Sequence, residues 1–173
     1  MTDDVILVDL EDNIIGTMQK MEAHEKGRLH RAFSVFIFNT KGELLLQQRA
    51  MDKYHSGGKW TNTCCSHPRY GEDTLDAAHR RLNEEMSLAC DLQYEFSFVY
   101  CADMPEGIFE NEFDHVFFGI TNDLPDPDPA EVETYKYINI DVLKQDIETN
   151  PDNYTAWLRI CFDKVTERYK KLF

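Results

Sequence analysis

Trp60-Thr-Asn-Thr-Cys-Cys-Ser-His-Pro68, followed after a short link by Asp73-Thr-Leu-Asp-Ala-Ala-His-Arg-Arg-Leu-Asn-Glu-Glu-Met86, sets an extended segment beside an amphipathic helix. A proline pushes its predecessor out of the helical region, so His67 is expected on a strand or extended loop. Side chains of an extended chain alternate faces. Cys65 and His67 then share one face, and Cys64 and Ser66 share the other. Parity nominates Cys65 over Cys64 as a thiol working beside an imidazole. Taken alone, the motif more often marks an ordinary buried strand, because free cysteine usually behaves as a small hydrophobe.

Asp73 is a good N-cap for a helix over Thr74–Met86. Leu75, Ala78, Leu82 and Met86 recur at helical spacing and form one apolar face. Arg80 and Glu84 fall on the solvated side as a surface pair of small energetic weight. Arg81 and Glu85 fall on the shoulder of the buried face. There a carboxylate can take a hard cation and a guanidinium can take phosphate.

Outward from this passage, Val5–Val8 and Ile14–Met18 read as strands, and Glu22–His30 as a polar connector carrying two histidines. Ala32–Phe38 and Glu43–Gln48 are strands joined by a turn at Asn39–Gly42, and Arg49–Gly58 is a polar loop. Tyr94–Ala102 and Phe113–Thr121 are strands separated by a turn near Pro105 and Gly107. Asn122–Glu133 is an acidic loop, Thr134–Ile140 a last strand, and Asp141–Glu148 and Thr155–Leu172 are helices. Strands outnumber helices and come in consecutive groups. This predicts an α+β fold with a mixed β-sheet core sandwiched by α-helices. Residues 1–173 are expected to form a single domain.

The chain has 42% hydrophobic and 12% aromatic residues and a formal net charge of −14. That charge argues against nucleic acid, whose phosphates need clustered Lys and Arg. No apolar run reaches the ~20 residues of a membrane helix. The acidic N-terminus lacks the layout of a secretory signal. Five cysteines without a scaffold spacing read as reduced thiols, which predicts a cytoplasmic protein. A small anionic ligand remains compatible with the acidic balance if metal cations and local basic residues hold it.

Glu110 and Glu112 are two apart in an extended segment and so share a face. Two such carboxylates repel unless a cation or proton lies between them. With His24, His30 and His67 they would make a nitrogen and oxygen site suited to Zn, Mn, Fe or Mg. His55, His79 and His115 read as ordinary structural histidines.

Ser66, Glu72 and the run Arg80-Arg81-Leu82-Asn83-Glu84-Glu85-Met86-Ser87-Leu88 resemble a degenerate Nudix box. Ser66 and Ser87 stand where that pattern has glycine, and Arg81 stands where it has a metal-binding glutamate. Together with the Cys-Cys-Ser-His-Pro segment and Glu110-Asn-Glu112, the chain resembles type I isopentenyl-diphosphate Δ-isomerases from about His24 to Glu112, with Trp157 as a further point near the C-terminus. The resemblance implies a Nudix-like fold and a small isoprenoid diphosphate substrate, acted on by a monomer or homodimer without nucleic acid or membrane partners. It makes His24, His30, His67, Glu110 and Glu112 ligands of one divalent metal (Mn²⁺, Zn²⁺ or Mg²⁺). It also makes Glu85 a holder of Mg²⁺ on the diphosphate. Cys65 and Glu112 become the acid/base pair, and Lys20, Arg49, Lys53 and Arg81 the basic clamp. Tyr100 becomes an active-site phenol, and Trp157 the aromatic facing a carbocation. Two rivals stand beside this reading. A Nudix hydrolase of a nucleoside diphosphate derivative requires no thiol. A small zinc-stabilised interaction domain would prefer ligand pairs at wider spacing than adjacent cysteines.

Overall fold

The computed structural model describes residues 3–173. In chain order the elements are β1 (Asp4–Val8), β2 (Ile14–Gln19), α1 (Lys20–Glu25), β3 (His30–Phe38), β4 (Leu44–Arg49), β5 (Trp60–Thr61) and β6 (Cys64–Ser66). There follow α2 (Thr74–Met86), β7 (Leu92–Met104), β8 (Ile108–Ile120), β9 (Val132–Ile138), α3 (Ile140–Thr149) and α4 (Ala156–Tyr169). Among the described residues the nine strands join in one mixed sheet.

Strand β3 is the axis. Its residues 30–38 pair in parallel with β8, from His30 opposite Glu112 to Phe38 opposite Ile120. Its other edge is shared by three partners in succession: β1 at His30, β6 over Phe33–Val35 and β4 at Phe38. Long apolar runs suit strands covered on both faces, and here alternation splits them. Phe36 and Phe38 join Val116 and Phe118 under α3 and α4, packed with Leu143, Leu158 and Phe162. Phe33, Val35 and Ile37 join Phe117 and Cys64 under α2, packed with Ala78, Leu82 and Met86. Helices therefore cover both faces of the sheet, as the strand-rich pattern predicts.

Helix α2 begins where Asp73 accepts hydrogen bonds from the backbone N–H groups of Leu75 and Asp76. It ends at Ser87, whose φ of 53° is left-handed, a conformation that favours glycine. The Ser87 hydroxyl offsets part of that cost by donating to the Asp126 carbonyl at 2.8 Å. Between β7 and β8 the chain reverses through Gly107, where φ is +74°.

One expected connector is a helix. Residues 20–25 form α1, capped by the Gln19 side chain, which accepts from the Glu22 backbone N–H. With six residues and only Ala23 and His24 buried, it is too short to show periodicity.

Candidate active site

The face of β3 and β8 that is apolar beneath α3 and α4 turns polar toward the start of β3. In register there lie His30 beside Glu112 and Ala32 beside Asp114, while Tyr100 and Phe98 on β7 oppose Glu112 and Asp114. On the other side of β3, Ser34 opposes Cys65 of β6. Of these, Ser34, Cys65, Tyr100, Glu112 and Asp114 line a cavity of about 100 Å³, also lined by Lys20, Arg49, Lys53, Arg81, Glu85 and Trp157. Cys65 and His67 both line it, whereas Cys64 is fully buried against α2.

The polar run before the cysteines is what holds them. Asn62 donates to the Val35 and Cys64 carbonyls at 3.2 and 2.8 Å and accepts from the Trp157 indole N–H at 3.2 Å. Thr63 donates to the Leu45 carbonyl at 2.6 Å and accepts from the Ile37 amide at 2.9 Å. Thr61 meets Thr155, just before α4, hydroxyl to hydroxyl at 2.9 Å. Burying these polar groups is tolerable because each is satisfied, and the network ties the thiol strand to the helix that carries Trp157.

The ligand atoms of His24, His30, His67 and Glu112 all lie within 4.8 Å of one another. His30 Nδ1 lies 2.7 Å from the Arg28 carbonyl, so it must carry the hydrogen and donate it. Its Nε2 is a buried atom with no hydrogen-bond partner, and Glu112 Oε1 lies 3.4 Å from it. His24 Nδ1 similarly faces the Phe109 carbonyl at 3.3 Å. Burial pushes His24 down to about 4, helped by the neighbouring imidazoles of His67 and His30, and burial pushes His67 down to about 4. Imidazoles oriented by carbonyl acceptors, with a carboxylate among them, fit a divalent metal. Such a cluster is able to coordinate one.

Burial alone would raise the Glu112 carboxyl, but the His30 and His67 imidazoles outweigh it and hold the group well below the usual carboxylate range. His67 Nε2 lies 2.8 Å from Oε1, and the Tyr100 hydroxyl donates to Oε2 at 2.6 Å. Glu110 shifts the other way, because burial and the adjacent Glu112 charge favour its protonated form. Burial likewise raises the Cys65 thiol and keeps it protonated. The cavity thus offers a neutral thiol and an ionised carboxylate together.

The expected five-ligand set is therefore divided in this structure. Four donors converge, while Glu110 Oε1 instead contacts His55 Nε2. His55, read from the sequence as an ordinary structural histidine, lines the cavity. His115, by contrast, pairs outside the cavity with Asp12 at 2.9 Å. Tyr54, Gln47, Ser34 and Asp114 also line the cavity and were not expected there. Parity along β8 could have signalled Asp114, two residues beyond Glu112. Tyr54 and His55 come from a loop whose position depends on distant packing.

On α2, Arg81 donates to Glu85 Oε1 at 2.6 Å and to Glu84 at 2.7 Å, and Gln47 donates to Glu85 Oε2 at 3.0 Å. Lys53 pairs with Glu131, and the Lys20 ammonium sits 4.9 Å from the Tyr54 ring centroid. The Arg49 guanidinium lies 5.3 Å from the Trp157 ring centroid and donates to the His55 carbonyl at 3.2 Å. Arg80 pairs outside the cavity with Glu72 at 2.7 Å, and with Glu84 at 3.3 Å.

Comparison with known proteins gives a consistent picture. The NUDIX domain pattern matches residues 28–158. An isopentenyl-diphosphate Delta-isomerase of Pectobacterium atrosepticum is 50% identical over 167 residues, covering 96% of this chain and 93% of the relative. The isopentenyl-diphosphate Delta-isomerase 1 of Aromatoleum aromaticum is 52% identical over 165 residues, covering 95% and 93%. Among solved structures, the DR0079 protein of Deinococcus radiodurans superposes with a TM-score of 0.78 at 17% identity, covering 93% of this chain and 98% of that one. The MutT protein of Methanosarcina mazei gives a TM-score of 0.63 at 18% identity, covering 83% and 94%. At those identities the two structures speak for the fold alone.

Proposed function

The chain belongs to the isopentenyl-diphosphate Delta-isomerases of the Nudix family, and we propose a division of that reaction among its cavity residues. The enzyme interconverts isopentenyl diphosphate and dimethylallyl diphosphate. One carbon of the five-carbon unit gains a proton, another loses one, and the double bond moves through a tertiary carbocation. Cys65 and Glu112 are the proton-handling pair. The observation that carries this assignment is that the Cys65 thiol and the Glu112 carboxyl line one cavity. One member gives a proton to carbon and the other takes one, so the net charge of the pair is conserved across a turnover. Each must reach its carbon at hydrogen-bond distance and be held there. The Asn62 network holds the Cys65 strand, and Tyr100 and His67 hold Glu112.

His24, His30, His67 and Glu112, with Glu110 beside them, would hold a divalent metal; Mn²⁺, Zn²⁺ and Mg²⁺ all suit this donor set. When bound, such a cation supplies positive charge that adjusts the proton affinity of the carboxylate it touches. Lys20, Arg49, Lys53 and Arg81 receive the diphosphate. In the free protein Arg81 and Lys53 are paired with Glu84, Glu85 and Glu131. Phosphate oxygens can replace those partners at Arg81 and Lys53. Glu85 would hold Mg²⁺ with the diphosphate, and the cation would supply charge that offsets the phosphates. Trp157 supplies a ring quadrupole for the cation, worth ~2 kcal/mol when desolvated, and buried walls exclude the water that would capture it. Small isoprenoid diphosphates are the substrates this arrangement suits.

The test is product identity. With isopentenyl diphosphate and Mg²⁺, phosphorus and proton NMR should show dimethylallyl diphosphate with both phosphates intact. Release of phosphate or pyrophosphate would instead indicate hydrolysis and contradict the assignment.

A further inference from the structure

Gln47 on β4 lines the cavity, buried, without a place in the roles above. Its backbone is paired on both sides, with Thr61 of β5 and Tyr135 of β9. Its amide nitrogen donates to the Thr63 carbonyl at 2.7 Å and to Glu85 Oε2 at 3.0 Å. A backbone carbonyl and a carboxylate paired with Arg81 both accept, so they fix which end of the amide is nitrogen and use both of its hydrogens. Glu85 thus has two anchors of different kinds. Arg81, on Oε1, is 20% exposed and also reaches Glu84 and Glu131. Gln47, on Oε2, is 3% exposed and is tied by its second hydrogen to Thr63, two residues before Cys65.

We infer that Gln47 is a positioning residue for the diphosphate end, holding the Glu85 carboxylate in place when Arg81 leaves it for phosphate. A carboxylate released by its guanidinium is free to turn about its side-chain torsions and leave the cavity. The Gln47 amide removes that freedom. Hydrogen bonds to an ionised acceptor are stronger than neutral ones, and this donor sits on a strand paired along both edges. One amide therefore ties the carboxylate on α2 to the segment that carries the thiol. The inference rests on Glu85 meeting Mg²⁺ with the diphosphate, as in the reading above.

Calorimetry with isopentyl diphosphate, a saturated five-carbon diphosphate with no double bond to move, provides the test, run with Mg²⁺ and with Mg²⁺ removed by chelation. Gln47→Met keeps the length and removes the donor. It should weaken binding with Mg²⁺ by about 10- to 100-fold, the usual contribution of a partner that orients a metal-holding group. Binding without Mg²⁺ should stay near wild type. In a Glu85→Gln background the same change should add little, because residues that act as one unit are not additive. Melting checks folding, and Gln47→Leu repeats the comparison if the Met variant does not fold. Wild-type affinity with Mg²⁺ in Gln47→Met, equal weakening with and without Mg²⁺, or full additivity with Glu85→Gln would overturn the inference. Glu85→Gln alone separates the two readings. If it leaves the gain from Mg²⁺ intact, the role of Glu85 has failed; if it removes that gain while Gln47→Met does not, only the role of Gln47 has failed.

Discussion

The two ends of one sheet face use the same backbone for opposite purposes. Near the ends of β3 and β8, Phe36, Phe38, Val116 and Phe118 are each at most 2% exposed and lie beneath α3 and α4. Near their starts the same alternation presents His30, Ser34, Glu110, Glu112 and Asp114, also buried. The parallel register is unbroken between the two. What differs is the cover, which is helix over the first end and a cavity over the second. The apolar end contributes burial free energy at ~25 cal/mol per Å². The polar end costs stability, because carboxylates are buried beside each other. The stable end therefore fixes the position of groups that would not gather on their own.

Substitutions at each end should separate chemistry from stability. The largest effect belongs to Cys65→Ala, which should lower kcat by ~10²–10⁴-fold or more, the usual range for losing a positioned acid or base. Cys64→Ala should keep most turnover and cost about 1 kcal/mol of stability from its apolar site. Equal kinetic loss in both would break the assignment by strand parity. At the other end, Phe118→Ala should cost ~3–5 kcal/mol in denaturant unfolding, with turnover of the folded fraction near wild type.

Tyr100→Phe removes the hydroxyl that Glu112 Oε2 accepts. A hydrogen bond to a charged group contributes ~1.5–3 kcal/mol, so kcat should fall by about 10- to 150-fold and melting should shift down by several degrees. The smallest effect is expected at Glu110, whose carboxyl is raised by burial and by Glu112. In metal-free protein the unfolded chain releases that proton first as pH rises above 4.5. Stability should therefore fall with rising pH over that window. Glu110→Gln should remove this contribution, flatten the slope and raise metal-free stability at neutral pH. An unchanged slope would mean that the polar end does not carry this cost.

Much of this division is legible in the chain. Asp73 and the spacing of Leu75, Ala78, Leu82 and Met86 predict α2 over the residues it occupies. Parity separates Cys65 from Cys64 because a strand leaves only two faces. The resemblance to the isomerases singled out cavity residues, including Lys20 and Trp157, that lie far apart in sequence. His55 is not legible, since nothing local says that its loop folds back to Glu110. Asn62 is equally hidden. A buried amide is recognised by its partners, and those lie on β3, β6 and α4. Helix α1 escapes because a single buried turn carries too few residues to establish a period.

The most direct test of proton transfer at carbon by Cys65 and Glu112 is deuterium incorporation. Wild-type enzyme, metal-loaded and with reduced thiols, is held with isopentenyl diphosphate in D₂O beside the Cys64→Ala and Cys65→Ala variants. Wild type and Cys64→Ala should yield deuterated dimethylallyl diphosphate, and Cys65→Ala should yield at most traces. Isomerised product free of deuterium, or equal incorporation with Cys65→Ala, would contradict the account.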